Sequence, residues 1–267
     1  MTTLMRRPAA ALAPFVEAFW YVEGDLPPGR ERKLPSGEMQ IVVNLAEDQL
    51  RWYGGAQLDE RWTTHGAGLC GALAGPVGID TAEQRRVLGV SFRPGGTVPF
   101  FAEPAEALTE PVIGLDVLWG RTGSTLRELL LDQHTPEAML RTMEAALLQR
   151  VVRPLRPDAV LVTATAALDR GRSIGGVVDA LGMTRSTFAR RFRHGIGLAP
   201  KPFARVRRLQ RVLGTVSAGT AVDWAAVATR HGFFDQAHLI NDFRALTGLT
   251  PSGYEPRSAT EPNHVPG

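Results

Sequence analysis

The chain has 267 residues, 44% of them hydrophobic and 21% charged, with a formal net charge of +3. That is enough for about two ordinary soluble domains, each with its own core, and no apolar run approaches the roughly 20 uncharged residues that a membrane span needs. A single cysteine, Cys70, excludes an intramolecular disulfide and a thiolate-rich zinc site, so the reducing cytoplasm is the expected compartment.

The first stretch, MTTLMRRPAAALAPFVEAFW, places an Arg pair before a short apolar run in the manner of a signal peptide. Pro8, Pro14 and Glu17 interrupt that run and aromatic residues follow at once, so it reads as the start of the folded domain. MQIVVNL, QLRWYGG and RRVLGVSF are short, rich in β-branched or aromatic residues and separated by turn signals, which predicts strands over residues 10–100. Beyond Pro99 the pattern turns helical in LDVLWG, STLRELLLDQ and TPEAMLRTMEAALLQRVV. In the last of these Thr135 is placed as N-cap, with Pro136 at the first helical position. Its stripe of Leu140, Met143, Leu147 and Val151 has two candidate destinations, the chain's own core or a partner.

Pro154 and Pro157 in RPLRPD cannot continue a helix, which predicts domains at 1–152 and 158–256 joined by a linker at 153–157. The stretch 257–267 lacks periodicity and is expected to be a disordered tail. Residues 153–267 hold 16 Lys and Arg against 8 Asp and Glu, whereas residues 1–152 hold 14 against 19. Lys33 and Lys201 are the only lysines. The imbalance suggests that one domain meets a polyanion, with a solvated arginine-rich surface as the alternative.

The C-terminal part contains one pattern twice. In SIGGVVDALGMTRSTFARRFRHGIG, Ser173 caps a helix with the apolar face Ile174, Val177, Val178 and Leu181, and Gly182 makes a tight turn. Thr184 caps a second helix anchored by Phe188 and Phe192, with Ser186, Arg190 and Arg193 opposite and Ala189 at the margin. In AVDWAAVATRHGFFDQAHLINDFRALTG, Trp224, Val227 and Ala228 form the first apolar face and Gly232 the turn. Asp235 then caps a helix anchored by Leu239, Phe243 and Leu246, with Gln236, Ala237, Asn241 and Arg244 outward and Ile240 alongside.

Arginine pairs bidentately with guanine, Asn and Gln suit adenine, and an apolar side chain meets the thymine methyl. Between the units PFARVRRLQRVLGTVS forms a connecting helix, with Val206, Leu209, Leu213 and Val216 inward and Arg207, Arg208 and Arg211 outward for phosphates. Arg185, Arg193, His238 and Arg244 are further phosphate candidates, while His231 is expected to cap or pack. Two matched helix-turn-helix units in a basic segment are a specific signal, where one alone is weak.

The stretches LGMTRSTFARRFRHGIGLAPKPF and GFFDQAHLINDFRALTGLTPSGY resemble the DNA-binding domain of the AraC/XylS family of bacterial regulators. In that family one protomer places two recognition helices in successive major grooves of promoter DNA. The resemblance maps the base-reading positions onto Ser186, Ala189, Arg190, Gln236, Ala237, Ile240 and Asn241. Asn241 stands where the family often has arginine, and Ala189 and Ala237 are short, so the first unit is expected to read more bases than the second.

Residues 5–150, through LPSGEMQIVVNL, VLGVSFRPGGTVPFF and LTEPVIGLDVLWG, resemble an N-terminal domain of undefined role found in a subset of these regulators. Related proteins use a cupin-like β-barrel there to bind an effector and helices to dimerise. The resemblance therefore implies an α+β chain: a mostly-β, cupin-like N-terminal domain with trailing helices, then an all-α domain of two helix-turn-helix units and a linker helix. It implies double-stranded promoter DNA, RNA polymerase, a small-molecule effector and a second copy of the chain as partners, without choosing activator or repressor. In SFRPGG, Arg93 is either an effector-holding residue on a special loop or a surface arginine on a β-turn.

No cofactor, metal or catalytic residue is expected. His65 and Cys70 lack an orienting third residue and an oxyanion motif, which favours a structural Cys, and His231 and His238 lack metal partners. A repair enzyme with an appended DNA-binding domain needs a cysteine cluster. An RNA-binding scaffold needs exposed aromatics, whereas Phe188, Phe192 and Phe243 fall on buried faces.

Overall fold

The computed structural model describes residues 2–267 apart from 56, 109 and 217–221. Thr109 in LTEPVIG, Ser217 at the end of the expected connecting helix and Ala221 at the start of the second unit thus lie outside the described residues. Ten strands come first: β1 (Thr2–Arg6), β2 (Val16–Glu23), β3 (Arg30–Lys33), β4 (Gln40–Asn44), β5 (Leu50–Gly54), β6 (Glu60–Thr64), β7 (Ala67–Cys70), β8 (Val77–Asp80), β9 (Arg86–Phe92) and β10 (Val112–Gly114). Helices α1 (Leu115–Trp119), α2 (Arg121–Leu131) and α3 (Pro136–Gln149) trail them. The C-terminal domain holds α4 (Ala159–Asp169), α5 (Ile174–Ala180), α6 (Arg185–Ile196), α7 (Pro200–Leu213), α8 (Trp224–Arg230) and α9 (Gln236–Thr247), and a last strand, β11 (His264–Pro266), follows. Among the described residues no helix is long and apolar enough to cross a membrane.

The strands form two antiparallel sheets, ordered β1-β2-β9-β4-β7-β10 and β11-β3-β8-β5-β6. Side chains alternate across a strand, and the six-stranded sheet separates its two faces accordingly. Phe19, Tyr21, Ile41, Val43, Leu88, Val90 and Phe92 point to one side, where they form the main core with Trp119, Leu126, Leu130, Met143 and Leu147 of the helices. Helix α3 starts as expected, with Thr135 accepting from the Ala138 N–H at 3.2 Å. Leu140, Met143 and Leu147 are fully buried and Val151 packs against the same cluster, so the stripe belongs to the chain's own core. The helix stops at Gln149, and the following segment is pinned to the β-domain by Arg153, which donates to the carbonyls of Val98 (2.9 Å), Phe101 and Ala102 (2.5 Å).

The other face of the sheet, toward the five-stranded one, is much less filled. Leu50, Trp52 and Val112 make a small cluster there, and beside it lies a cavity of about 340 Å³ lined by Trp20, Val22, Val42, Val87 and Cys70 among others. Trp20 is in register with Gly89. A Cβ at 89 would meet the indole at 2.2 Å, so glycine is what lets that ring lie across the sheet.

The expected disordered tail is corrected. Residues 264–266 pair with β3, Val265 is buried with Leu34 in the core of the second helix-turn-helix unit, and Arg257 binds Glu31 through Nη1 at 2.8 and 3.0 Å. Local periodicity carries no trace of a three-residue strand whose partner lies more than 200 positions away. Burial opposes charge on Glu31, but hydrogen bonds from His264 and Gln84 and the Arg257 guanidinium outweigh it and hold the carboxyl down at about 2.

Candidate nucleic-acid interface

Each unit is built from the local signals in its sequence. Ser173 accepts from the Gly176 N–H at 3.1 Å to start α5, and Gly182, at φ +63°, makes the turn in a left-handed conformation that costs other residues roughly 1–2 kcal/mol. Thr184 accepts from the Thr187 N–H at 3.3 Å to start α6. In the second unit Asp223 and Asp235 cap α8 and α9, Gly232 turns at φ +72°, and the Asp235 carboxylate takes the His238 N–H at 2.7 Å. Both recognition helices have 12 residues and end on left-handed glycines, Gly197 and Gly248.

Packing then fixes which stripe of each helix is free. Phe188 and Phe192 are buried with Phe203 in an aromatic cluster, rings 5.5 and 5.3 Å apart. Leu239, Phe243 and Leu246 are buried likewise, with the Trp224 ring 6.3 Å from Phe243. Opposite these anchors Ser186, Arg190, Gln236, Ala237 and Asn241 are exposed, while Ala189 and Ile240 are half-buried at the margins. Asp158, the N-cap of α4, binds Arg191 of α6 bidentately at 2.8 and 2.9 Å. Burial opposes this charge too, yet Arg191 and the α4 amides keep the Asp158 carboxyl below its ordinary value.

Arg185 and Arg244 are exposed on α6 and α9. His238 is exposed as well, its Nδ1 accepting from the Phe234 N–H at 3.3 Å and its ring edge-on to Phe233. Arg193 is half-exposed and faces Glu106 of the β-domain at 3.8 Å, beside His194 at 3.3 Å from the same carboxylate.

The expected outward arginines of the connecting helix are corrected. Arg207 is held by Asp169, by Glu38 at 2.7 Å and by the Ser36 carbonyl, between α4 and the β-domain. Arg208 pairs with Asp242 at 2.8 Å and covers the Phe233 ring at 4.0 Å. Arg211 donates to the carbonyls of Leu168 and Asp169 at 3.3 and 2.7 Å. A cation on an outward helix face takes the nearest acceptor, and here other elements of the protein provide one.

Sequence reasoning missed a basic cleft between the two units. Arg170, Arg172, Lys201 and Arg230 on its rim are exposed and, among the described residues, pair with no carboxylate; Arg205, Arg208 and Arg211 form its walls. The rim residues sit in turns and at helix ends, where helical spacing gives no signal. It also missed Phe234, 93% exposed immediately before the α9 cap. His231 caps α8 as expected, its Nε2 3.3 Å from Thr215 Oγ1. Burial, with Arg211 and Arg230 nearby, pushes its imidazole below the ordinary value.

Arg93 lies outside the cavity, donating to the Ala13 carbonyl at 2.9 Å and pairing with Glu17 at 2.5 Å, which is the surface-turn alternative. Cys70 lines the cavity, where burial pushes its thiol up. Among the described residues no three His, Cys, Asp or Glu side chains gather as a metal site.

Residues 177–257 match a family model described as a helix-turn-helix domain, and residues 5–114 match one described as a domain of unknown function (DUF6597). Comparison with curated proteins gives no match. Among solved structures the chain is similar to an apo variant of ToxT from Vibrio cholerae, at 10% identity and a TM-score of 0.46, over 93% of this chain and 98% of that one. A second ToxT structure from Vibrio cholerae gives 8% identity and 0.44, over 95% and 98%. The xylose-binding transcription activator xylR gives 15% and 0.32, over 43% and 38%.

Proposed function

We propose that this chain is a transcription regulator of the AraC/XylS type, in which one protomer reads promoter DNA by placing α6 and α9 in successive major grooves; the match of residues 177–257 to a helix-turn-helix domain supports the reading. The observation that carries this is the exposed stripe opposite each buried anchor, Ser186 and Arg190 on α6 and Gln236, Ala237 and Asn241 on α9, with Ala189 and Ile240 half-buried at its margins. Arg190 is suited to guanine, and Gln236 and Asn241 to adenine. Backbone phosphates are taken by Arg185, His238 and Arg244 and by the cleft rim of Arg170, Arg172, Lys201 and Arg230, so the cleft spans the sugar–phosphate ridge between the two grooves.

A small-molecule effector acts through the β-domain, with residues 153–157 as the joint between domains. RNA polymerase and a second copy of the chain are the further protein partners. Exposed Val117, Leu129, Leu148 and Val152 on and after α1–α3 support self-association.

The test is a methylation-interference footprint on a promoter selected by the purified protein. Two major-groove segments about 10 bp apart on one DNA face are expected for one protomer. A single protected segment, or equal affinity for a scrambled duplex at the same salt, overturns the reading.

A further inference from the structure

Arginines and a lysine line the basic cleft between the two units, and among the described residues that line it Asp242 is the one carboxylate. Asp242 follows Asn241 on α9 but is turned inward and is 7% exposed. On α7, Arg205 and Arg208 stand three positions apart and so share a face. Both converge on this carboxylate. Arg205 Nε and Nη2 lie 2.7 and 2.6 Å from Oδ1, and Arg208 Nη2 lies 2.8 Å from Oδ2.

Arg208 reaches one element further. Its Nη1 donates to the Gly232 carbonyl at 3.3 Å, in the turn between α8 and α9, and its guanidinium covers the Phe233 ring at 4.0 Å. One carboxylate thus ties the connecting helix to the second recognition helix and to the turn before it. The arrangement is unfavourable in part. Two like charges are drawn together, a carboxylate is taken out of water, and among the described residues Arg208 Nε is buried without a hydrogen-bond partner. A cleft that served only to attract phosphates would be stronger with a neutral residue at 242, because the carboxylate cancels one positive charge and engages two guanidiniums.

We propose that Asp242 is a specificity-determining positioning residue: it withholds Arg205 and Arg208 from the DNA backbone and uses them to fix α9 against α7, so that the two recognition helices keep the separation one target sequence requires. The proposal rests on the reading of α6 and α9 as groove readers and names a residue outside their outer stripes that makes the reading selective. Non-specific binding is almost wholly phosphate contact, whereas selectivity needs base edges met in register. Loss of the Asp242 charge moves both terms the same way. Freed arginines grip any duplex, and a loosened α9 reads fewer bases.

The test uses the full chain and two duplexes, one selected by the purified protein and one a scrambled version of it, each titrated over a range of salt. Asp242→Asn is expected to steepen the slope of log K against log salt by about 1 to 2, for one or two more phosphates engaged. It should also lower the preference for the selected duplex by about tenfold, the equivalent of one lost base contact. Arg205→Gln added to Asp242→Asn should take back about 1 of that slope, whereas Arg205→Gln alone should leave the wild-type slope unchanged. Asp242→Glu keeps the charge and should restore most of the preference.

A merely structural role would weaken binding to both duplexes without steepening the slope. That result, or an unchanged slope and preference in Asp242→Asn, overturns the proposal. Thermal unfolding identifies a folding failure of Asp242→Asn, and Arg205→Gln alone then decides: a slope lowered by about 1 means that Arg205 already holds a phosphate, and overturns it. A wild-type chain that does not prefer the selected duplex overturns the groove-reading assignment instead, so the two failures are distinct.

Discussion

The first helix-turn-helix unit closes its core from within the C-terminal domain: Leu161, Leu168, Val177, Phe188, Phe192 and Phe203 all come from α4–α7. The second draws Leu34 from β3 and Val265 from β11 into the cluster around Val206, Leu239, Phe243 and Tyr254. Their recognition helices differ in the same sense. Helix α6 carries Arg185, Arg190 and Arg193 on or beside its outer stripe, whereas α9 offers the neutral Gln236 and Asn241 and a single Arg244. One motif is thus built twice with different surroundings: the first unit completes its core within the C-terminal domain while Arg193 and His194 face Glu106 of the β-domain, and the second needs β-domain residues to complete its core; on the proposed reading the first, more strongly charged unit is the stronger reader.

The comparison breaks most visibly in the cores. Phe192→Ala should cost about 3–5 kcal/mol and Leu34→Ala about 2–5 kcal/mol in denaturant unfolding. Leu34→Ala should expose α9 to hydrogen exchange while leaving α6 protected, although residue 34 lies in the β-domain. Equal exposure of both helices would show that the units do not differ in what completes them.

Base readout sharpens it next. Arg190→Ala should weaken binding to a cognate promoter by about 1–3 kcal/mol and relax specificity at one guanine. Asn241→Ala should cost less, measured by titration at fixed salt. Equal losses that do not depend on sequence would sink the assignment of unequal roles.

Phosphate contacts come third. Arg172→Ala should lower the slope of log K against log salt by about 1. Arg207→Ala should leave that slope unchanged, because its guanidinium is engaged by Asp169 and Glu38, and should instead lower the melting temperature.

The smallest effect is one of pH. Burial pushes the His264 imidazole below its ordinary value; Lys33 and Arg257 push the same way, against the hydrogen bond to Glu31. A histidine whose native value is depressed contributes stability that is full above the ordinary imidazole range, about 6.5, and is lost as pH falls below it. Stability should therefore decline modestly between pH 7.5 and pH 5.5, and His264→Gln should flatten that decline in thermal melts. The Glu31 carboxylate, held at about 2, loses its contribution only at much lower pH, from the ordinary carboxylate range downward.

Much of this was legible from residue order. The caps Ser173, Thr184 and Asp235, the turns at Gly182 and Gly232 and the anchors Phe188, Phe192 and Phe243 act over three or four residues, and each stands where spacing places it. Arg207, Arg208 and Arg211 were legible as outward-facing but not as occupied. Their partners Asp169, Glu38 and Asp242 lie 34 to 169 positions away, and helical periodicity says nothing about what packs opposite a face. The same gap hid the tail strand and the cleft rim, both of which exist only once distant segments meet.

The pairing of β11 with β3 has a consequence for biosynthesis. Residues 264–266 leave the ribosome after both helix-turn-helix units, yet they cover an edge of a sheet whose other strands are made first. Until then β3 presents an open row of hydrogen-bonding groups, the kind of edge that recruits foreign strands. A chain cut after α9 would keep both helix-turn-helix units but leave β3 as the edge strand of its sheet.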